Sequence, residues 1–510
     1  MNFKIIKGKE VNLIDINPIL AIDSYKLGHM TMYPKGTTKI YCNAIPRSLS
    51  RLEALVPKGY FDNKMVTLGT TIAVKEIHQA FENNFFKRDI HEIITEFKET
   101  IAPFIGDNSN EVLISNIIKL YGLGYLPLEF KCLPEGMVIP AQTPVLTVTN
   151  THEDFAWLPN YLETFISNSF WKISTAATIA RIYKNIFTKF SEETCDNNLH
   201  ITFQGHDFSA RGMSGMEDSI KTGLGHLTYF QGSDSIHSAL LVKKLYGCTD
   251  LIAASVPATE HSVMCLGSSN ESEVETFRRL IKQYNKGIVS IVSDTWDFWD
   301  TITNKALELK EDILNRTEDS LGLSKLVFRP DSGDPIKVIC GDKTAPKGSP
   351  EYKGAIECLW DIFGGTINNK QYKVLNSKVG LIYGDSITFQ RAVDILEGLK
   401  AKGFASSNVV LGIGSYTYNY VTRDTLGYAI KATYAEIEGK AFDIAKAPKT
   451  DSGKKSMKGL LQVVEVEGQV ITNQQVSWLG ENASILTSIY KDGVMLELDS
   501  WDKIRERASK

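Results

Sequence analysis

Between residues 206 and 415 the sequence repeatedly sets ionisable or very small residues directly behind a short apolar run. His206 and Asp207 lie at the end of "LHITFQGHDF", Asp234 in "LTYFQGSDS", Glu260 and His261 in "LIAASVPATEH", and Asp294 and Asp297 in "IVSIVSDTWD". Arg329 and Asp331 follow in "LVFRPDSG", Asp385 in "VGLIYGDS", and Gly414 and Ser415 close "VVLGIGS". Such side chains move protons, hold hydroxyls, amides or metal ions, and neutralise charge that develops in a reaction. Singly, each is an ordinary polar turn, because such turns far outnumber active-site loops. A lone histidine is usually structural. His261, with acidic Glu260 beside it, suits proton or phosphoryl transfer better. In "FRPDSGDP" (328–335), Pro330 and Pro335 fix φ around Arg329 and Asp331, so two charges are held in place. The chain separations of Asp234, Asp331 and Asp385 leave sugar hydroxyls, a metal and an amide open as partners. Phe208 and Tyr25 are, by base rate, core aromatics.

These residues are useful together only if the fold gathers them. The apolar runs at 199–208, 227–235, 251–261, 288–297, 326–333, 379–386 and 409–415 read as seven buried strands with helical segments between several of them. Ser235 is placed to cap "IHSALLVKKLYG" and Ser386 to cap "ITFQRAVDILEGLKAKG", whose Phe389, Val393, Leu396 and Leu399 share a stripe. Both segments end at glycine, Gly247 and Gly403. The interval after Arg329 is long and must hold an insertion. Alternating strands and helices predict a parallel sheet, and this many units predicts closure into a barrel with its chemistry at the strands' carboxyl ends. The expected fold class is α/β: an irregular β/α barrel at 181–440 and an α+β domain at 1–180, onto which 441–510 packs back. "PLEFKCLPEGMVIPAQTPVLTV", "LLQVVEVEGQVIT" and "YKDGVMLELDS" have hairpin character.

"GIGSYTYN" (412–419) is a strand leading into a glycine-rich turn, a setting in which backbone N–H groups can approach a phosphate. It lacks a Walker lysine, so alone it is a weak signal. Arg423, Lys431, Lys446 and "KTDSGKKSMKG", with Lys454, Lys455 and Lys458, follow. A lysine-rich loop is ordinarily a solvated surface, but beside a glycine turn these cations suit a polyphosphate. The whole chain carries a net charge of -4, which gives no electrostatic case for nucleic-acid or membrane binding. Seven scattered cysteines without a CxxC pair read as free thiols, the N-terminus has no cleavable signal pattern, and the expected location is the cytoplasm.

Taken together, "DSYKLGHMTMYP" (23–34), "HDFSARG", "FQGSDS", "SVPATEHS", "VSDTWD", "FRPDSG", "YGDSI", "TRD" and "KKSMKG" resemble, in order, the nicotinamide phosphoribosyltransferases of the type II phosphoribosyltransferase family. The resemblance implies transfer from 5-phosphoribosyl 1-pyrophosphate to nicotinamide, with Mg²⁺, with ATP as a co-substrate, and with a homodimer whose active sites are shared. It implies Phe208 and, from the partner, Tyr25 as the clamp on the pyridine ring. Asp234 becomes the carboxamide acceptor and Arg329 the arginine beside base and ribose. Asp331 and Asp385 hold the ribose hydroxyls, Gly384 counts among the substrate-binding residues, and Asp331 is the one protein candidate for the metal, held mainly by pyrophosphate. Arg211, Gly414 and Ser415 form the 5′-phosphate cradle; Arg423, Lys431, Lys454 and, across the dimer, Arg47 take pyrophosphate, with Asp297 positioning that end. His261 matches the histidine phosphorylated by ATP. Two departures bear on the phosphate contacts: Ser415 stands where a fuller glycine run is common, and Ala429 replaces a hydroxyl residue. Nicotinate as the base, a glycoside hydrolase with paired carboxylates and a non-catalytic barrel are the competing readings.

Overall fold

Six of the seven apolar runs contribute regular strands to one parallel sheet. In chain order they are β1 (Gly205–Asp207), β2 (Gly232–Ser233), β3 (Val289–Val292), β4 (Leu326–Arg329), β5 (Val379–Tyr383) and β6 (Val409–Ile413), arranged β2-β1-β6-β5-β4-β3. The computed structural model describes residues 16–105, 110–384, 386–446, 456–496 and 499–510. The run at 251–261, expected as a strand, makes only isolated parallel bridges, Ala254 to Gly232 and Ala258 to Ser290. Pro257 between them has no N–H to donate, so a regular ladder cannot run through it. The bridges nevertheless touch β2 at one edge of the sheet and the β3 edge at the other, closing the ring irregularly. Two other runs are less strand-like than expected: Ile201–Gln204 is a helical turn, and Leu227 ends the helix α1 (Met216–Leu227).

Helices connect the strands as the pattern requires. They include α2 (Ile236–Tyr246), α3 (His261–Asn270), α4 (Glu273–Gln283) and α5 (Phe389–Ala401). Gly247 closes α2 at φ 64, and Gly403 follows α5 at φ 75, both left-handed. Phe389, Val393, Leu396 and Leu399 are buried on one face of α5. The caps differ from expectation. Thr388, not Ser386, accepts the α5 backbone bond, from Arg391 N, while Ser386 lies earlier in the loop at φ 52. Ser235 stands at the N-cap of α2 without capping it, because its hydroxyl donates to Asp207. The long interval after β4 holds three short helices and a two-stranded ribbon, Gly365–Ile367 with Lys373–Leu375.

The chain forms two compact units. One comprises Met1–Leu49, Thr67–Ser174 and Arg423–Asp499; the other comprises Ser50–Val66, Thr175–Thr422 and Ser500–Lys510, and contains the parallel sheet. The first unit is built on a seven-stranded antiparallel sheet in the order Lys440–Asp443, Tyr428–Ile437, Thr37–Pro46, Leu146–Asn150, Leu128–Cys132, Thr487–Lys491, Val494–Met495. Its C-terminal strand Thr487–Lys491 pairs with Leu128–Cys132, so late and early sequence share one sheet. Glu467-Gly468 and Asp492-Gly493, all at positive φ, turn the two late hairpins. Among the described residues no helix is long and apolar enough to cross a membrane.

Candidate active site at the carboxyl ends of the parallel strands

At the tip of β1 the backbone N–H of Phe208 donates to Ile413 O of β6 at 3.1 Å, and the half-buried Phe208 side chain spreads over two glycines. A Cβ on Gly412 would fall 2.4 Å from the ring, and one on Gly384 3.1 Å, so both positions must be bare for the ring to lie there. The His206 ring sits 4.6 Å from that of Phe208 at 45°. His206 Nε2 lies 2.9 Å from Asp234 Oδ1, which also accepts the Ser255 hydroxyl. Burial pulls the Asp234 carboxyl upward, but the bonds from His206 and Ser255 and the charge of Arg329 outweigh it and hold the group below the usual carboxylate range. Its side chain remains 46% exposed, so an ionised carboxylate is presented beside an aromatic face.

The opening of "FRPDSGDP" is anchored on both sides. Arg329 ends β4, while Asp334 caps a helix beginning at Pro335 by accepting from Ile336 N and Lys337 N. Between them, Arg329 Nη1 donates to Asp331 Oδ1 at 3.0 Å and Nη2 to Thr259 O at 2.9 Å. Arg329 Nε is buried without a partner among the described residues. Asp294, at the end of β3, organises the neighbourhood from a side chain only 5% exposed. Its Oδ2 accepts from Asp331 N at 3.0 Å and from the Ser332 hydroxyl, and its Oδ1 lies 3.2 Å from His261 Nε2. His261 opens α3 with its side chain 46% exposed.

Arg211 is exposed on the turn Ala210–Gly212. That turn abuts the tip of β6: a Cβ on Gly212 would meet Ser415 Oγ at 2.1 Å, and Asn419 Nδ2 donates to Gly212 O at 3.1 Å. The turn that carries Arg211 is therefore a neighbour of Ser415. Asp297 is engaged in capping, its carboxylate accepting from Trp299 N and Asp300 N. Asp385 lies outside the described residues. Ser255 and Asp294 received no role from the sequence. Both lie within the quoted motifs, "SVPATEHS" and "VSDTWD", and what singles them out is that they hold Asp234, His261 and Asp331 in place.

The remaining expected residues belong to the first unit. Lys431, on the strand Tyr428–Ile437, has its ammonium held below the ordinary lysine range: burial, then Lys446, Lys26 and Arg47, outweigh the opposing pull of Glu163. These cations are thus close neighbours. Lys26 is 2% exposed and pairs with Glu163, and its Nζ donates to Asn160 Oδ1 at 3.2 Å. Lys431 Nζ is 3.9 Å from the other Glu163 oxygen. Arg47 Nε donates to Gly427 O at 2.8 Å, and Arg423 pairs with its own neighbour Asp424 at 3.2 Å. Tyr25 is 62% exposed on the 3-10 turn Ser24–Gly28. Lys454 lies outside the described residues.

Comparison with known proteins gives a consistent picture. The sequence model of the nicotinate phosphoribosyltransferase (NAPRTase) family matches residues 203–479. Nicotinamide phosphoribosyltransferase of Acinetobacter baylyi is 48% identical over 495 residues, covering 96% of this chain and 97% of the relative. That of Mycoplasma pneumoniae is 34% identical over 469 residues, covering 86% and 94%. Among solved structures, nicotinate-nucleotide pyrophosphorylase from Pyrococcus furiosus has a TM-score of 0.55 at 15% identity, covering 99% of this chain and 97% of that one. Human nicotinic acid phosphoribosyltransferase has a TM-score of 0.52 at 14% identity, covering 96% and 92%. At these identities the two structures speak for the fold.

Proposed function

Because the chain belongs to the nicotinate phosphoribosyltransferase family, we propose that it transfers the phosphoribosyl group of 5-phosphoribosyl 1-pyrophosphate to nicotinamide, releasing nicotinamide mononucleotide and pyrophosphate in NAD salvage. The observation that carries the choice of base is Asp234. Its carboxylate, held ionised beside Phe208, accepts the N–H of a carboxamide, whereas nicotinate would bring a second negative charge to the same place.

The pyridine nitrogen attacks the anomeric carbon as pyrophosphate leaves, through an oxocarbenium-like transition state. No protein nucleophile is required. Phe208 stacks against the ring, with Tyr25 of a second copy as the other face of the clamp in a homodimer with shared sites. The Arg329–Asp331 pair lies toward base and ribose, where small misplacement is costly. Arg211, Gly414 and Ser415 take the 5′-phosphate. Arg423, Lys431 and Lys454, with Arg47 of the partner subunit, receive the leaving pyrophosphate, and Asp297 steadies that end. Mg²⁺ would be held by pyrophosphate oxygens with Asp331, whose Oδ2 has no hydrogen bond among the described residues, as the protein's own ligand. Its chemistry there is to offset charge on the leaving group. ATP acts by phosphorylating His261, whose phosphorylated state couples ATP hydrolysis to synthesis. The expected location is the cytoplasm.

One assay tests the core of this reading. The protein is supplied with phosphoribosyl pyrophosphate, Mg²⁺ and either nicotinamide or nicotinate, with and without ATP, while mononucleotide and pyrophosphate are measured. Nicotinamide mononucleotide and pyrophosphate should appear in equal amounts. Turnover of nicotinate alone would transfer the chemistry to the other base, and no pyrophosphate from either base would refute it.

A further inference from the structure

We infer that Asp207 is a positioning residue for the base pocket, its buried carboxylate fixing the spacing between the Phe208 ring and the Asp234 carboxylate. The inference rests on the transfer to nicotinamide proposed above. Strands β1 and β2 are three and two residues long, and their ladder has only two residue pairs, His206 with Gly232 and Asp207 with Ser233. So short a ladder is a weak ruler for two recognition groups that must be held closely. Asp207 supplies what the ladder lacks. Its side chain is fully buried, with Oδ1 accepting from Ser209 N at 2.9 Å and Oδ2 from Ser235 Oγ at 2.8 Å and Ser233 Oγ at 3.5 Å. One oxygen therefore ties the residue after Phe208, and the other ties both neighbours of Asp234. The main chain repeats the link, since Asp234 N donates to Asp207 O at 3.1 Å.

The surroundings are shaped to keep this carboxylate dry. Helix α1 passes over it at Gly223, where a Cβ would fall 3.3 Å from Asp207 Oδ2 and 2.2 Å from Ser238 Oγ. Every hydrogen-bond donor to Asp207 among the described residues is neutral: one amide and two hydroxyls. Removing such an acceptor strands three donors at once, and the tips of β1 and β2 are then free to drift apart. Asp207 touches no substrate in this scheme. Its effect passes through Phe208 and Asp234, so it should be felt by the base and not by the sugar phosphate.

The test separates nicotinamide from phosphoribosyl pyrophosphate. Asp207→Ala should raise KM for nicotinamide by about tenfold while KM for phosphoribosyl pyrophosphate stays within about twofold. Asp207→Asn should return the nicotinamide KM to within about threefold of wild type. Its amide oxygen still accepts from Ser209 N, and the Ser235 hydroxyl can turn to accept from its NH₂. Should Asp207→Ala fail to fold, Ser235→Ala decides, with an expected rise of about threefold in nicotinamide KM alone. An unchanged nicotinamide KM, or both KM values rising together in the Ala and Asn variants alike, overturns the inference. Wild-type protein that makes no mononucleotide from nicotinamide would instead overturn the reaction it rests on.

Discussion

The mouth of the parallel sheet and the cationic cluster of the first unit solve opposite problems. At the mouth, polar side chains meet partners at about hydrogen-bond distance before any ligand arrives: His206 with Asp234, Arg329 with Asp331, His261 with Asp294. In the first unit, Lys26 and Lys431 converge on the single carboxylate of Glu163, with Lys446 and Arg47 close enough to depress Lys431. The first arrangement fixes geometry. The second gathers more positive charge than Glu163 can balance, an arrangement that suits a polyanion. A neutral flat base and a ribose are recognised by fixed donors and acceptors, whereas pyrophosphate is recognised by surplus charge.

If that division holds, the largest single loss comes from Arg329. Arg329→Ala strands Asp331, vacates the bond to Thr259 O and removes the donor Nε, so kcat/KM should fall by about a thousandfold for nicotinamide in steady-state assays. A loss below about tenfold would mean that the mouth is less preorganised than its bonds imply. Next comes Asp234→Asn, which exchanges the charge for an amide of the same shape. It should weaken nicotinamide use by about a hundredfold while leaving phosphoribosyl pyrophosphate affinity within about twofold, and should narrow the preference over nicotinate. Equal losses for both substrates would break the separation of roles.

These two residues were legible in the sequence because apolar runs ending in charged tips survive folding as pattern: β4 ends at Arg329, and the turn after β2 carries Asp234. What escaped was decided by tertiary geometry. The run around Pro257 reads as a strand by composition, yet proline limits it to isolated bridges. Ser235 and Ser386 both look like caps, but Ser235 spends its hydroxyl on a carboxylate 28 positions earlier, and Thr388 is the residue that faces the free α5 amides. Asp294 stands in "VSDTWD" without an assigned role; only folding shows that one buried carboxylate holds both His261 and the loop of Asp331. The grouping of Lys26 with Glu163 was likewise hidden by 137 positions of separation.

The ATP link should be separable from the cationic cluster, and within the mouth it reaches the other residues through Asp294. The His261 side chain is half exposed, and its one side-chain hydrogen bond among the described residues is with Asp294. His261→Ala should therefore abolish stimulation by ATP, a change of about tenfold, while slow ATP-independent synthesis persists. Full stimulation in that variant would remove His261 from the scheme.

The smallest effect is the sharpest test of the cationic cluster, because its sign is fixed. The folded pKa of Lys431 lies below the ordinary lysine value of 10.5, so between the two the unfolded chain binds more protons than the folded one. Lys431 therefore makes the unliganded protein more stable as pH rises through that window. A bound polyanion favours the charged ammonium, so pyrophosphate affinity should fall as pH rises through the same window, and binding should take up protons. Stability and affinity thus change in opposite directions with pH because of one side chain. Lys431→Arg keeps the charge at every accessible pH and should flatten both slopes relative to wild type. Thermal melts and pyrophosphate titrations across that alkaline window measure the two slopes. Parallel slopes in wild type, or slopes that survive Lys431→Arg, would show that the cluster is not held in tension by its own charge.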